Sequence, residues 1–318
     1  MTTTELLVHV EAYVGLRKVL GYTVRSDEKL LKDFVAFLAS RHIHGPIHAQ
    51  VAVEWACLPA PRRGPSGQAT RLKVVRGFLA HLRATWPETE VPGPGSLAPI
   101  RRPTPYLYTD REITALLEAA AALGPRDSLR PHTYSTLIGL LVSTGVRIGE
   151  ALQLQVGAVR LEDSPPSLHI VEGKFRKSRF VPLHPTTVEK LTGYARERQR
   201  QHYDALSDAF FVSESGGPLA YETCRETFAK LLCRAGICQP PRGGRPGLHS
   251  LRHTFTVRRM VEWQRAGVSL KEVLPTLSVY LGHVQPAHTY WYMTATPELL
   301  SLAAASFQHY AGQGEYND

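Results

Sequence analysis

The sequence predicts a mainly α-helical protein with one small β-hairpin, an α+β fold divided into two domains. Apolar residues recur at helical spacing on both sides of a proline-rich stretch, and one short region changes to the two-residue period of strands. A length of 318 residues suits two domains of ordinary size. We therefore expect a helical domain over 1–91, a linker over 92–105, and a larger domain with a helical tail over 106–318.

Two helices are predicted in the first domain. Apolar residues from Leu30 to Leu38 recur at helical spacing, and Ser26 is expected to cap the start of that helix. A second helix is predicted from Gln68 to Trp86, with one apolar face and one basic face.

Basic residues cluster in and around this second helix and in the linker. They are Arg62, Arg63, Arg71, Lys73, Arg76, Arg101 and Arg102. A single basic residue of this kind is typical of a solvated helix face. Taken together, the residues predict a surface that faces the phosphates of a nucleic acid.

The linker is identified by its prolines. Five prolines and two glycines lie between Pro92 and Pro105, and such a segment neither sustains a helix nor supplies a core. We expect it to be the hinge of a clamp whose two domains close around a partner.

The second domain begins with a helix. Thr109 is placed to cap it and Glu112 to complete the reciprocal capping box. Helical spacing resumes from Tyr134 to about Leu154. After a short β region it continues from Thr186 to Gln308, interrupted by a loop rich in proline and glycine.

The β region is a predicted hairpin. Leu168–Val171 and Arg179–Leu183 are strand-like runs, and the charged segment between them contains Gly173 and forms the turn. The tail from Pro297 to Gln308 is amphipathic, and it packs either on its own domain or on a neighbouring copy.

Composition narrows the class of protein. Hydrophobic residues make up 43% and charged residues 20%, which is typical of a globular chain, and the formal net charge of +9 favours a polyanionic partner. A basic metabolic enzyme has the same balance. No apolar run is long enough to span a membrane and the start lacks a signal-peptide pattern, so a cytoplasmic protein is expected. The four cysteines have no paired CxxC spacing, which fits a reduced protein.

Four short stretches place cations or polar groups beside glycine or at a turn. They are Ser143–Glu150, Gly173–Arg179 in the hairpin turn, His249–His253, and Leu281–His283 followed by Tyr290–Tyr292. Taken singly, they are also explained by a surface ion pair, a solvated turn, a zinc site or aromatic packing. The zinc alternative is disfavoured because Arg252 lies beside the would-be ligand His253.

In this order the stretches resemble the tyrosine recombinase (phage integrase) family. The matching segments are Thr144–Leu152, Gly173-Lys174 with Val181–Leu183, Leu248–Phe255, and Leu281–His283 with Tyr292. The resemblance covers about residues 106–300 as the catalytic domain. The helical region before the linker resembles, more loosely, the SAM-like core-binding domain of that family.

The resemblance implies a site-specific DNA recombinase that cuts and rejoins DNA through a 3′-phosphotyrosyl intermediate, without metal, cofactor or ATP. Tyr292 would be the nucleophile, Lys174 the general acid for the departing 5′ oxygen, and His249 an aid to proton transfer at the nucleophile. The residues that would bind the scissile phosphate are Arg147, Arg252 and His283, with Glu150 orienting them.

Two assignments have a competitor in the sequence. Tyr290 competes with Tyr292, which is favoured because it lies nine residues after His283. In the hairpin turn Lys177 competes with Lys174, and Arg176 and Lys177 are expected to contact the DNA backbone.

The resemblance also implies partners. These are double-stranded recombination sites, further copies of the chain in a tetramer on two duplexes, and accessory recombinases or DNA-bending proteins. We expect a bacterial cytoplasmic protein that joins the nucleoid when bound to DNA. Its task is integration, excision, transposition or the resolution of replicon dimers, and the sequence leaves these alternatives open.

Three other functions remain as rivals. They are a type IB topoisomerase-like enzyme that relaxes DNA, a non-catalytic DNA-binding accessory protein, and a metal-dependent nuclease. The last lacks the clustered carboxylates that such a site needs.

Overall fold

The computed structural model describes residues 2–22, 24–59, 64–99, 104–125, 127–171, 178–201, 207–238, 240, 243–283, 285–295 and 299–301. The chain divides into two compact units, Met1–Arg102 and Pro103–Asp318. The predicted fold class, mainly helical with one small sheet, is confirmed.

Helices form the described part of the first unit. They are α1 (Thr3–Val19), α2 (Arg25–Ser40), α3 (Ala49–Cys57) and α4 (Pro65–Leu82). Helix α1 begins with a capping box between Thr2 and Glu5, and α4 begins at Pro65, whose fixed φ suits the first helical position. The four helices enclose one apolar core that includes Phe34, Trp55 and Phe78.

The helix starts differ from the sequence prediction. Helix α2 begins at Arg25, with Val24 at the N-cap and no side-chain cap, so the prediction of Ser26 as N-cap was wrong. Ser26 lies in the first turn, where its hydroxyl donates to Asp27 Oδ1 at 3.4 Å. Helix α4 begins three residues before the predicted Gln68 and ends at Leu82 rather than Trp86.

The second unit combines helices with the sheet. Its helices are α5 (Asp110–Ala121), α6 (Leu129–Thr144), α7 (Ile148–Leu152), α8 (Pro185–Arg200), α9 (Tyr221–Arg234), α10 (Leu248–Arg265), α11 (Leu270–Leu281) and α12 (Ala287–Ala295). A capping box between Thr109 and Glu112 starts α5, as predicted.

The sheet is antiparallel in the order β1-β2-β3. Its strands are β1 (Val159–Arg160), β2 (Ser167–Ile170) and β3 (Arg179–Pro182). The predicted hairpin is β2–β3, in which Leu168 faces Val181 and Ile170 faces Arg179. Strand β1 was not predicted, because its two residues are too few to show the alternation of a strand.

The segment from Tyr134 to Leu154, predicted as one helix, is two helices. Gly145 ends α6 in the left-handed region at φ +64°, and its N–H donates to Leu141 O. A Cβ at this glycine would lie 2.3 Å from Cδ1 of Phe255 on α10, so the turn requires glycine for backbone and for space. The break places Arg147 at the N-cap of α7.

Among its described residues, the second unit has two apolar cores. One joins α5, α6, α8, α9 and the sheet. The other joins α10, α11 and α12, and it contains Met260, Leu274, Leu281 and Tyr292. Within the described ranges no helix is both long and apolar enough to cross a membrane. The cysteines Cys57, Cys224, Cys233 and Cys238 are free thiols.

Candidate active site

Three arginines from different elements converge on the C-terminal end of α11. The last carbonyls of a helix lack partners within it and carry the negative end of its dipole. The pairs are Arg179 Nε with Tyr280 O (2.7 Å), Arg252 Nη2 with Leu281 O (2.6 Å), and Arg147 Nη2 with Gly282 O (2.8 Å). One helix end therefore fixes three guanidinium groups side by side.

Gly282 makes this approach possible. It ends α11 in the left-handed region at φ +67°. A Cβ at this position would lie 2.9 Å from Nη1 of Arg179 and 3.3 Å from Nη1 of Arg147. Any side chain would therefore push the two guanidinium groups away from the helix end.

Glu150 joins two of these arginines. Its buried carboxylate accepts from Arg147 Nη1 at 2.7 Å and from Arg179 Nη1 and Nη2 at 3.1 and 2.8 Å, and the Arg147 backbone N–H adds a bond of 3.0 Å. Burial alone raises the pKa of Glu150, but hydrogen bonds and charge from Arg179 and Arg147 outweigh it and bring the pKa to about 2. The carboxylate is therefore ionised at neutral pH.

The cluster is positively charged. Three guanidinium groups against the one carboxylate of Glu150 leave two positive charges. Arg252 is 2% exposed and also donates to Gly145 O at 2.8 Å. Burial, and then the charge of Arg147, lower the pKa of Arg252 to about 9, which leaves it protonated at neutral pH. A buried excess of this sign favours binding of an anion.

His283 follows α11 and contacts Arg252, one of these arginines. Its Nε2 lies 3.1 Å from Arg252 Nη2, and its Nδ1 lies 2.7 Å from Thr289 Oγ1. Burial, then the charges of Arg252 and Arg147, lower the pKa of His283 to about 3, so the ring is neutral. Because an arginine only donates, Nε2 accepts and the ring proton lies on Nδ1.

Tyr292 lies on α12 beside this cluster. Its side chain is 2% exposed, and its hydroxyl is 2.6 Å from Nδ1 of His253. The negative charge of an ionised Tyr292 would raise the pKa of Arg252, so the phenol is close enough to that guanidinium to interact with it electrostatically. Tyr290, the competing nucleophile, is 42% exposed.

The histidine at the Tyr292 hydroxyl is not the one predicted from the sequence. His249 was expected there, but the ring within hydrogen-bonding distance is that of His253, one turn later on α10. His249 is exposed, and its ring lies edge-on to His253 with 4.5 Å between centroids. His249 and His253 are four residues apart on one helix, and this spacing could have predicted that their side chains are neighbours.

Arg179 was also missed as a site residue. It lies two positions from the buried Val181 in β3, so both side chains are on the same face of the strand. An arginine on the core-facing side of a strand needs a counter-charge. That requirement points to a buried carboxylate, which in this fold is Glu150.

Arg71 corrects the predicted basic face of α4. It is 4% exposed, its guanidinium lies 3.6 Å from the ring centroid of Trp55, and Nη2 contacts Asp33 at 3.3 Å. The prediction that Arg71 faces DNA was therefore wrong, because the side chain belongs to the core of the first unit.

The neighbouring cations of α4 differ from Arg71. Lys73 is exposed. Arg76 donates to Pro92 O at 2.8 Å and to Gly93 O at 2.6 Å, so it holds the start of the predicted linker.

Several predicted residues lie outside the described residues. They are Arg62, Arg63, Arg101, Arg102, Lys174, Arg176 and Lys177, together with the tail beyond Ser301. In the part of the chain that the structure describes, no three histidine, cysteine or acidic side chains are grouped to hold a metal ion.

Comparisons with known proteins agree along most of the chain. Residues 107–298 match the sequence model of the phage integrase family. The integrase/recombinase y4rB of Sinorhizobium fredii is 39% identical over 302 residues, which cover 92% of this chain and 94% of that protein. Tyrosine recombinase XerD of Caulobacter vibrioides is 29% identical over 282 residues, covering 88% of each chain.

A solved structure shares the fold. The XerH site-specific recombinase bound to palindromic difH substrate, in a post-cleavage complex, matches with a TM-score of 0.67. At 18% identity the match covers 96% of this chain and 85% of that one.

Proposed function

The chain belongs to the phage integrase family of tyrosine recombinases, which break and rejoin DNA, and we propose that Tyr292 carries out this reaction at a specific DNA site. The observation that supports the proposal is the convergence of Arg147, Arg252 and His283 on one helix end, with the buried Tyr292 beside them.

The arginines are suited to the charge that develops during phosphodiester exchange. When a hydroxyl oxygen attacks phosphorus, negative charge grows on the non-bridging oxygens. Arg147 and Arg252 are already fixed by the carbonyls of Gly282 and Leu281, so their N–H groups need little reorganisation to hold that charge. Glu150 keeps Arg147 in place without neutralising the whole cluster.

His283 is proposed to donate a hydrogen bond to the same phosphate. In this arrangement Nε2 accepts from Arg252 and Nδ1 faces Thr289, so donation to a phosphate oxygen requires a second proton on the ring. The negative charge of a phosphate opposes the effect of the arginines and favours that protonation.

The reaction proceeds by two exchanges at phosphorus. Tyr292 attacks the scissile phosphate and forms a 3′-phosphotyrosyl link, while Lys174 protonates the departing 5′ oxygen and His249 assists proton transfer at the nucleophile. The 5′-hydroxyl of a second strand then attacks that link and restores a phosphodiester. The bond energy is retained in the phosphotyrosine, so no ATP is consumed.

The DNA partner is held outside the reaction centre by basic residues. Lys73 is exposed for backbone contact, and Arg62, Arg63, Arg101, Arg102, Arg176 and Lys177 are proposed for the same role. The 1–91 and 106–318 domains would clamp the duplex through the 92–105 linker. Four copies would assemble on two duplexes, with accessory recombinases or DNA-bending proteins as further partners. With DNA as substrate, the bacterial cytoplasm and its nucleoid are the proposed place of action.

Strand exchange tests this function directly. The DNA site is first selected by binding the full chain to a random duplex library, and two copies of that site are then placed on one plasmid. We expect exchange between the sites in the presence of EDTA. Relaxation of supercoils without exchange would contradict recombination and indicate a topoisomerase, and binding without either reaction would indicate an accessory protein.

The relatives do not favour the topoisomerase-like enzyme or the accessory protein. XerD is named as a tyrosine recombinase and y4rB as an integrase/recombinase, and both align over most of this chain.

A further inference from the structure

We propose that His253 is a catalytic residue that accepts the proton of the Tyr292 hydroxyl during attack on the phosphate. The inference rests on the proposed function, because it assigns a base to the nucleophile of that reaction. The contact that carries it is the distance of 2.6 Å between Nδ1 of His253 and the hydroxyl oxygen of Tyr292.

The geometry suits proton transfer. The two rings are tilted by 58° with their centroids 5.4 Å apart, so Nδ1 and the hydroxyl meet edge to edge. The hydroxyl donates and Nδ1 accepts when the imidazole is neutral and carries its proton on Nε2. A general base needs its accepting atom within about 2.6–3.2 Å of the heavy atom that carries the proton.

Helix α10 holds the base in register with the phosphate-binding arginine. His253 follows Arg252 directly in sequence. Arg252 is fixed at both ends of its guanidinium, by Gly145 O and Leu281 O. The helix therefore cannot slide without breaking those bonds, and the base stays at a constant distance from the anion site.

Burial of the phenol creates the need for a base. Tyr292 is 2% exposed, so bulk water has little access to its hydroxyl. A phenol with a pKa of about 10 is a poor nucleophile at neutral pH unless a neighbouring group takes its proton.

The protons and electron pairs balance through the cycle. The oxygen of Tyr292 forms a bond to phosphorus and its proton passes to Nδ1 of His253. The bond from phosphorus to the 5′ oxygen breaks, and that oxygen keeps the electron pair and receives a proton from Lys174. In the second exchange the incoming 5′-hydroxyl gives its proton back to Lys174, and His253 returns its proton to the departing Tyr292 oxygen.

The ring of His249 packs against that of His253. The two ring centroids are 4.5 Å apart, and His249 is exposed at the first turn of α10. We therefore expect the assistance predicted for His249 to be indirect, through the placement of the His253 ring.

Two substitutions separate proton transfer from simple positioning. His253→Asn keeps a hydrogen-bonding atom near the position of Nδ1 but cannot take up a proton, and His253→Ala removes both. The assay measures the rate of covalent adduct formation by the full chain on nicked DNA carrying the selected site. A second DNA has sulfur in place of the bridging 5′ oxygen, so its leaving group needs no acid.

We expect both variants to lose about 100-fold or more in adduct formation on both DNAs. Lys174→Ala should regain its rate on the sulfur-bridged DNA, because that DNA removes the need for an acid only. A His253→Asn rate close to wild type, with His253→Ala slow, would mean that the histidine only positions Tyr292 and would overturn the proposal. Recovery of the His253 variants on the sulfur-bridged DNA would overturn it as well.

Controls distinguish a failure of the proposed role of His253 from a failure of the proposed function on which it rests. His132→Asn changes an exposed histidine on α6 and should leave the rate unchanged. Circular dichroism and DNA affinity check that the His253 variants are folded. If wild-type protein forms no adduct, the proposed function fails. If wild type forms the adduct through Tyr292 and both His253 variants match its rate, only the role of His253 fails.

Discussion

Replacing Glu150 by glutamine tests how strongly the arginine cluster depends on its carboxylate. Glutamine has the same shape and keeps some of the hydrogen bonds, but Arg147 and Arg179 would lose the negative charge between them. The two guanidinium groups would then repel each other at the end of α11 without compensation. We therefore expect the variant to be less stable and its phosphate-binding arginine to be less well held.

The magnitude follows from the pKa. The pKa of Glu150 falls from an ordinary value of 4.5 to about 2 because the effects of Arg179 and Arg147 exceed the opposing effect of burial. That shift corresponds to about 3 kcal/mol of stability at neutral pH. The cost of leaving one partner of a buried ion pair alone is similar, about 3–5 kcal/mol.

The sign of the pH dependence is fixed. A depressed carboxyl pKa stabilises the fold above the unfolded-state value of 4.5, and this stabilisation is lost as the pH falls through the folded value of about 2. By about pH 3.5, roughly 1.4 kcal/mol of it should be gone. The gap in unfolding free energy between wild type and Glu150→Gln should therefore narrow on acidification.

Urea unfolding followed by circular dichroism at neutral pH and near pH 3.5 measures this gap. Glu118→Gln, which changes an exposed carboxylate on α5, is the matched control and should match wild type at both values. A Glu150→Gln variant as stable as wild type at neutral pH would show that the carboxylate does not stabilise the arginine cluster. A gap that stays constant on acidification would show that the ionised form of Glu150 is not its source.

Three further predictions concern the turn, the phosphate site and the DNA surface. Gly145→Ala should destabilise the protein by about 2 kcal/mol or more in urea, because φ is +64° and the new Cβ would meet Phe255. Gly139→Ala, a helical glycine with no atom near its Cβ, is the control and should not destabilise. Arg252→Lys should slow adduct formation about 100-fold in a gel assay, since an ammonium cannot span the carbonyls of Gly145 and Leu281; an unchanged rate would contradict the site. DNA affinity measured by anisotropy should fall steeply with salt, and Lys73→Ala should reduce the slope by about one. An unchanged slope would show that Lys73 makes no phosphate contact.

Local signals in the sequence predicted the elements whose cause is local. The capping box of Thr109 and Glu112 starts α5 as expected, and the change of period at Leu168 marks the hairpin. The break at Gly145 was missed because apolar residues at helical spacing continue on both sides of it. Its cause, the close approach of Phe255, lies 110 residues further along the chain.

Only those contacts of the candidate site that join residues close in sequence could be predicted from the sequence. Arg147 and Glu150 are three residues apart and pair locally. The bonds from Arg179 and Arg252 to the end of α11 join residues 101 and 29 positions apart, and spacing alone does not reveal such contacts. The burial of Arg71, in contrast, could have been predicted from the sequence. Val75 lies four residues later on the same face of α4, and this face is apolar.

The proposed reaction joins Tyr292 covalently to DNA. Wild-type protein is incubated with nicked DNA carrying the selected site, the adduct is digested, and mass spectrometry locates the modified peptide residue. We expect a 3′-phosphotyrosyl link on Tyr292, its loss in Tyr292→Phe, and its retention in Tyr290→Phe. An adduct that persists in Tyr292→Phe, or one that maps to Tyr290, would show that Tyr292 is not the nucleophile.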